Sequence, residues 1–335
     1  MLILENAPLS EHSTMRLGGP AKYLCVVKSE NDLLEAVEFA NENDEKLRII
    51  GAGSNIIWND DGFDGLVVVN ELQKFEINNT EVTIGSGVVW DEAVKKTVEA
   101  GLSGIEFLSL IPGTSGATPV QNVGAYGAEI SDVLVSLRAY DLELKEFIEM
   151  LNEDCKFGYR TSRFKTADTG RFLITEIKLS LSRENPTPPF YDSLQKYLDN
   201  KDITDYSPQI IREAVIDIRS SKLPDPKTTA NNGSFFANPI IDIETFEKLI
   251  EKYPDIKAWD YKGRKKLAAG WLVEKAGFSD RHDKTTGMAT WGAQSLVLVN
   301  ENAEHTSDLI NFRDEIVNRV REKFGVKLEQ EPEII

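Results

Sequence analysis

The chain has 335 residues, long for one domain and enough for two or three, each with a buried core. Apolar residues make up 41 % and charged residues 28 %, the balance of a soluble globular protein. The net charge of -17 argues against nucleic acid, whose phosphates need a basic face, but leaves room for a small anionic ligand in a local basic pocket.

Two cysteines, Cys25 in an apolar run and Cys155 in a mixed stretch, form no CxxC and no bridge framework, which points to a reducing compartment. The opening Met1-Leu-Ile-Leu-Glu5 is too short and too soon acidic for a signal peptide. No apolar run approaches the ~20 residues of a membrane span. The cytoplasm is the expected location.

In chain order, Lys22 to Lys28 reads as a strand, and Ser29 caps a helix with apolar positions Leu33, Leu34, Val37, Phe39 and Ala40. Leu47 to Ile50 is a strand running into Gly51-Ala-Gly-Ser-Asn55, with short apolar runs after it at 56–58 and 66–69. Strand 81–85 precedes an amphipathic helix 90–100 that Gly101 ends. A glycine-rich loop then runs from Ser109 to Gly127, followed by strands near 133–141, 144–148 and 172–181. Residues 184–207, with Pro186, Pro188 and Pro189, read as a linker or an inserted loop. Ser207-Pro208 opens a helix reaching about Ser220. The segment Leu223–Pro239 cannot be a continuous helix, and Asn231-Asn232-Gly233-Ser234 reads as a tight turn anchored by Phe235 and Phe236. Helices near 243–253 and 267–276, a strand 296–299 and a last helix capped by Thr306 and ended by Gly325 complete the chain.

Four stretches carry chemistry or ordinary structure. Ile49 to Trp58 places glycines after a strand but opens no helix, so it is not a Rossmann fingerprint; its amides suit a pyrophosphate, and a plain turn is the alternative. Ile111 to Ala128 is long, glycine-rich and uncharged, which suits a neutral ring system beside a pyrophosphate. The two loops together favour a dinucleotide, FAD more than NAD. Lys156 to Lys165 gathers four basic and three aromatic residues, and one guanidinium there could clamp a carboxylate or simply line a strand edge. Leu328 to Glu333 is acidic and would ordinarily face solvent. His12, His282 and His305 are scattered, so no metal is expected.

Taken in order, the segments Ser13-Thr-Met-Arg-Leu-Gly-Gly-Pro-Ala21, Gly51–Asn55, Ile111-Pro-Gly, Pro119–Gly127, Tyr159–Phe164, Lys222–Pro226, Asn232–Phe236, Lys266–Trp271 and Leu328–Glu331 resemble the UDP-N-acetylenolpyruvoylglucosamine reductase family nearly end to end. The resemblance implies an α+β chain. A two-subdomain FAD-binding module of the vanillyl-alcohol-oxidase type would span residues 1–70 and 71–207, with a lid insert at about 184–207. An α+β substrate-binding domain would occupy 208–335, its tail returning to the active site. It implies non-covalent FAD, NADPH as co-substrate and a UDP-sugar substrate, in a cytoplasmic monomer that binds neither nucleic acid nor membrane and serves peptidoglycan synthesis.

The same resemblance assigns residues. Arg160, with Glu331 nearby as a neutral acid, would stabilise the enolate formed when hydride from NADPH passes through FAD to the alkene, and Ser234 would protonate the adjacent carbon. FAD would be held by Gly51, Ala52, Gly53, Ser54 and Asn55, by Ile111, Pro112, Gly113 and Ala117, by Gln121, Asn122, Gly124, Ala125 and Tyr126, and by Ile174. Tyr159, Tyr191, Arg219, Lys222, Asn238 and Gln294 would contact the UDP-sugar. Two departures stand out: the tail reads Glu329-Gln-Glu-Pro-Glu333 and lacks the family's closing Arg, and Ser13-Thr14 replaces Asn-Thr. A flavin oxidase of the same fold and a non-catalytic nucleotide-sugar binder are the competing readings.

Overall fold

The computed structural model describes all 335 residues and divides into two units. The first comprises residues 1–7, 21–52 and 63–221; the second comprises 8–20, 53–62 and 222–335.

The first unit contains two large sheets. In one, Pro20–Val27 and Lys46–Ile50 both pair in parallel with Phe63–Asn70, and Ile3–Pro8 adds an edge. The helix Glu30–Glu42 carries the chain from Pro20–Val27 to Lys46–Ile50, on the far side of Phe63–Asn70, the crossover that parallel strands need. Ser29 caps that helix as the sequence suggests: its Oγ accepts the Asp32 N–H at 3.1 Å, and Asp32 accepts in return from the Ser29 N–H at 3.0 Å. Leu33, Ala36, Val37 and Ala40 form its buried face. The other sheet is antiparallel, with Leu134–Asp141 and Phe172–Ser180 at its centre. Strand residues Ile84, Leu137, Ala139 and Ile177 pack there against Trp90, Ala93 and Val94 of the helix Trp90–Glu99.

Residues 184–207 are not merely a loop. Asp192–Asn200 is a helix whose Leu194 and Leu198 are completely buried against Ile211, Val215 and Ile218 of the helix Pro208–Lys222. Their four-residue spacing puts both leucines on one face, a signal that the neighbouring prolines obscure.

The second unit is built on an antiparallel sheet of Ala230–Ser234, Gln294–Asn300, Met288–Trp291 and His282–Asp283. Its core joins Phe235, Phe236, Trp271 and Leu298 to Leu309, Phe312, Ile316 and Val320 of the helix Thr306–Phe324. Gly325 closes that helix in the left-handed region at φ 68°. Thr306 is its first helical residue rather than its cap. Asp60 satisfies the leading amides instead, accepting from the Thr306 N–H at 2.5 Å and the Ser307 N–H at 3.1 Å, while the Thr306 hydroxyl donates to the Trp58 carbonyl at 2.6 Å. No helix of the chain is long and apolar enough to cross a membrane.

Candidate functional site

The glycine-rich run 111–128 is held by its own turns. A short helical turn, Ser115–Ala117, buries Ser115 and Thr118; the Ser115 hydroxyl donates to the Val88 carbonyl at 3.1 Å and the Thr118 hydroxyl to the Ser115 carbonyl at 2.7 Å. Gly124–Ala125 then pairs with Ala128–Glu129 around Tyr126 and Gly127, at φ 51° and 89°. Two consecutive positive φ values make a hairpin turn of the primed type, free for glycine and strained for tyrosine. Leu110 (58°), Asn122 (48°) and Arg160 (54°) share this left-handed conformation. Each such non-glycine residue costs roughly 1–2 kcal/mol, and strain of this kind concentrates at ligand sites.

Within the first unit the two glycine loops touch. A Cβ on Gly51 would lie 2.2 Å from the Thr114 hydroxyl oxygen, so only glycine lets the strand end approach that loop. Gly53, Ser54 and Asn55 fall in the second unit. The lining fits a flavin dinucleotide: Ile111, Pro112, Gly113, Ala117, Gln121, Gly124 and Ala125 present no charge to a neutral ring. Ile174 is buried in the strand Phe172–Ser180, and its carbonyl accepts from Asn70 at 3.1 Å.

Beside this loop, Gly158 and Thr161 exchange backbone hydrogen bonds at 3.0 and 3.3 Å and close a turn over Tyr159 and Arg160. The Arg160 guanidinium stacks on the Tyr159 ring at 5.2 Å and donates from Nη2 to the Gly124 carbonyl at 2.6 Å. The arginine and the flavin loop expected from the sequence therefore meet. Tyr191, 42 % exposed, packs edge-on against Tyr126 with centroids 6.0 Å apart. Burial raises the Tyr126 phenol above its usual range, with the Arg219 charge opposing. The Arg219 Nε is itself buried and has no hydrogen-bond partner, and burial lowers that guanidinium's pKa. A desolvated cation with an orphaned donor is costly unless a ligand completes it.

The helix carrying Arg219 is anchored by a pair whose members lie 121 residues apart in sequence. Arg212 donates to both Asp91 oxygens, at 2.7 and 2.9 Å, and Asp91 also accepts from the Leu110 N–H at 2.5 Å. Burial pushes the Asp91 carboxyl upward, but the Arg212 and Leu110 hydrogen bonds outweigh it and leave the pKa below the usual range. A depressed carboxylate contributes stability that is present above its unfolded pKa, about 3.9, and lost as pH falls through the folded value. Asp91→Asn is expected to lower unfolding stability by about 1.5–3 kcal/mol at pH 7, the range of hydrogen bonds to charged groups. In urea titrations the deficit should narrow below pH 4; a deficit constant with pH would rule out the ionised pair.

In the second unit, Asn231-Asn232-Gly233-Ser234 is not a tight turn. It ends a bulged strand that pairs with Gln294–Asn300, and Gly233, at φ 70°, takes the irregular place. Ser234 is exposed just past the bulge, whereas Phe235 and Phe236 are each 1 % exposed. The bulge has its own supports: the Asn231 Oδ1 accepts the Gly233 N–H at 2.8 Å, and the Asn232 Nδ2 donates to the Ser54 carbonyl at 3.0 Å and the Thr14 hydroxyl at 3.1 Å. The tail runs beside it. The Glu331 N–H donates to the Phe235 carbonyl at 2.9 Å, the Ala237 N–H to the Glu329 carbonyl at 2.9 Å, and the Asn55 Nδ2 to the Glu331 carbonyl at 3.3 Å. Beyond it, Glu333–Ile334 pairs in parallel with Ile56–Ile57. Ser234, Glu331 and Asn55 are thus neighbours in chain pairing. Glu329 is exposed, while Glu331 and Glu333 are half-buried. Asn238 and Gln294 meet on one helix: the Asn238 Oδ1 accepts the Ala269 N–H at 2.9 Å, and a Cβ on Gly270 would lie 2.9 Å from the Gln294 Oε1. Lys222 is exposed at the end of Pro208–Lys222.

Residues 21–143 match a FAD binding domain model, and residues 225–335 match the model for the UDP-N-acetylenolpyruvoylglucosamine reductase C-terminal domain. The UDP-N-acetylenolpyruvoylglucosamine reductase of Ralstonia nicotianae is 39 % identical, with 98 % of each chain covered. This chain belongs to the UDP-N-acetylenolpyruvoylglucosamine reductase family. The family's Alcanivorax borkumensis reductase is 38 % identical over 99 % of this chain and 96 % of its own. The solved structure of the family's Thermus caldophilus protein shares the fold, with a TM-score of 0.69 at 22 % identity over 99 % of this chain and 98 % of that one. The expected fold class, a flavin module followed by the family's own C-terminal domain, is borne out.

Proposed function

We propose that this chain reduces UDP-N-acetylglucosamine enolpyruvate to UDP-N-acetylmuramate with electrons from NADPH, as a step of peptidoglycan precursor synthesis. The observation that carries the reading is the full-length likeness to reductases of that name, which spans the flavin module and the C-terminal domain alike. FAD, when bound, supplies hydride exchange between NADPH and the alkene. The glycine loops 51–55 and 111–128 would hold it.

The roles of the chain's own groups follow from the charge that develops. Hydride addition to an enol ether pushes electrons onto the neighbouring carboxylate. Arg160, a cation fixed by its turn, binds that enolate more strongly than the ground state. Glu331 assists as a neutral acid, and Ser234 gives its proton to the adjacent carbon. A hydroxyl is a poor acid, so its proton moves only to a strong base, and an enolate carbon is one. Arg219 and Lys222 suit the diphosphate, Asn238 and Gln294 the sugar and uracil polar groups, and Tyr159 and Tyr191 the remaining faces. The insert bearing Tyr191 acts as a lid. The chain works as a cytoplasmic monomer in this reading.

The purified protein should be yellow and should oxidise NADPH only when the enolpyruvyl substrate is present. Brisk oxidation with oxygen alone would favour a flavin oxidase. A colourless protein that still bound UDP would favour a binding protein without turnover.

A further inference from the structure

Asn122 is 1 % exposed, and three hydrogen bonds occupy its carboxamide. Nδ2 donates to the Glu129 Oε2 at 2.7 Å and to the Gly158 carbonyl at 3.1 Å, and Oδ1 accepts the Ser131 N–H at 3.1 Å. The reversed amide would set its oxygen against a carboxylate and a carbonyl, so the orientation is fixed by chemistry. Its backbone is left-handed. Both donors of the carboxamide are thus engaged with protein.

These contacts close a ring. The Glu129 carboxylate holds Asn122, and Asn122 holds the Gly158 carbonyl. Gly158 begins the turn that carries Arg160, Arg160 donates to the Gly124 carbonyl, and Gly124 pairs with Glu129. A Cβ on Gly124 would fall 2.9 Å from the Glu129 Cγ and 3.0 Å from the Arg160 Nη1, so the ring is packed as well as bonded. Arg160 sits in it at a strained φ that only surrounding constraints maintain.

We propose that Glu129 is a positioning residue for Arg160, acting through Asn122 and the Gly158–Thr161 turn. This rests on the reading of Arg160 as the group that meets the developing enolate. What the role demands of Glu129 is reach: an acceptor at the end of a two-methylene stem, charged or not.

The test uses Glu129→Gln, which keeps the reach without the charge, and Glu129→Asp, which keeps the charge without the reach; both are mild enough to fold. Hydrogen exchange of the purified protein, with and without flavin, reads the turn directly. In Glu129→Asp the amides of Gly158 and Thr161 should exchange about five- to tenfold faster, the effect of one lost hydrogen bond, while Glu129→Gln stays close to wild type. In stopped flow, Glu129→Asp should slow flavin reoxidation by the enolpyruvyl substrate about 10- to 100-fold, as misplaced catalytic groups do, and leave flavin reduction by NADPH unchanged. Wild-type exchange in Glu129→Asp overturns the proposal, as does a Glu129→Gln defect as large as that of Glu129→Asp. A wild-type enzyme inert toward the enolpyruvyl substrate would overturn the functional reading and leave the exchange result standing.

Discussion

Ser234→Ala slows flavin reoxidation by the enolpyruvyl substrate by about 10²–10⁴-fold, the usual contribution of a positioned proton donor, and leaves flavin reduction by NADPH intact. The separation is expected because Ser234 has no structural duty to lose. It is exposed, and the local fold is held by its neighbours: Phe235 and Phe236 in the core, the Asn231 side chain on the Gly233 amide, and Asn232 on Ser54 and Thr14. Removing the hydroxyl should therefore change neither thermal stability nor the flavin spectrum. Stopped-flow traces of the two half-reactions decide the matter. Equal damage to both would show that Ser234 supports binding, and an undiminished reoxidation rate would transfer the proton to another group. Deuterium in the solvent should slow the wild-type reoxidation step and have little effect on the residual rate of the variant.

The fold was legible wherever a local rule was strong. Ser29, Gly101 and Gly325 mark helix ends because capping is settled within a few residues. The helix Asp192–Asn200 is harder to see, because Pro186, Pro188 and Pro189 just before it mask the four-residue spacing of Leu194 and Leu198. Asn231–Ser234 read as a turn on composition; in the fold, Phe235 donates to the Leu296 carbonyl and Ser234 pairs with Val297, so long-range pairing turned a turn-prone run into a bulged strand. Asp91 with Arg212, 121 residues apart, left no trace in sequence, since a lone charge looks like any solvated one until its partner is placed. Glu129 was hidden differently: it lay one residue beyond the uncharged loop that drew the cofactor reading.

Arg160→Lys should weaken the same half-reaction as Ser234→Ala, by a different cause. A lysine keeps the charge but loses the fork, so it cannot donate to the Gly124 carbonyl and present a second planar donor at once. Loss of one preorganised donor typically costs about 2.7–4 kcal/mol of barrier, or roughly 10²–10³ in rate. The charge that lysine retains should still attract the substrate carboxylate, so the fall belongs mainly in kcat and only slightly in KM. Arg160→Ala loses the charge too and should raise KM as well. The comparison has a further use, because the backbone at 160 is left-handed at φ 54° whatever side chain stands there. If Arg160→Gly proved more stable than wild type by about 1 kcal/mol while losing reoxidation, strain held at that position for the sake of the guanidinium would be measured directly. A Lys variant with wild-type kcat would remove Arg160 from the chemistry and leave it only a place in the turn.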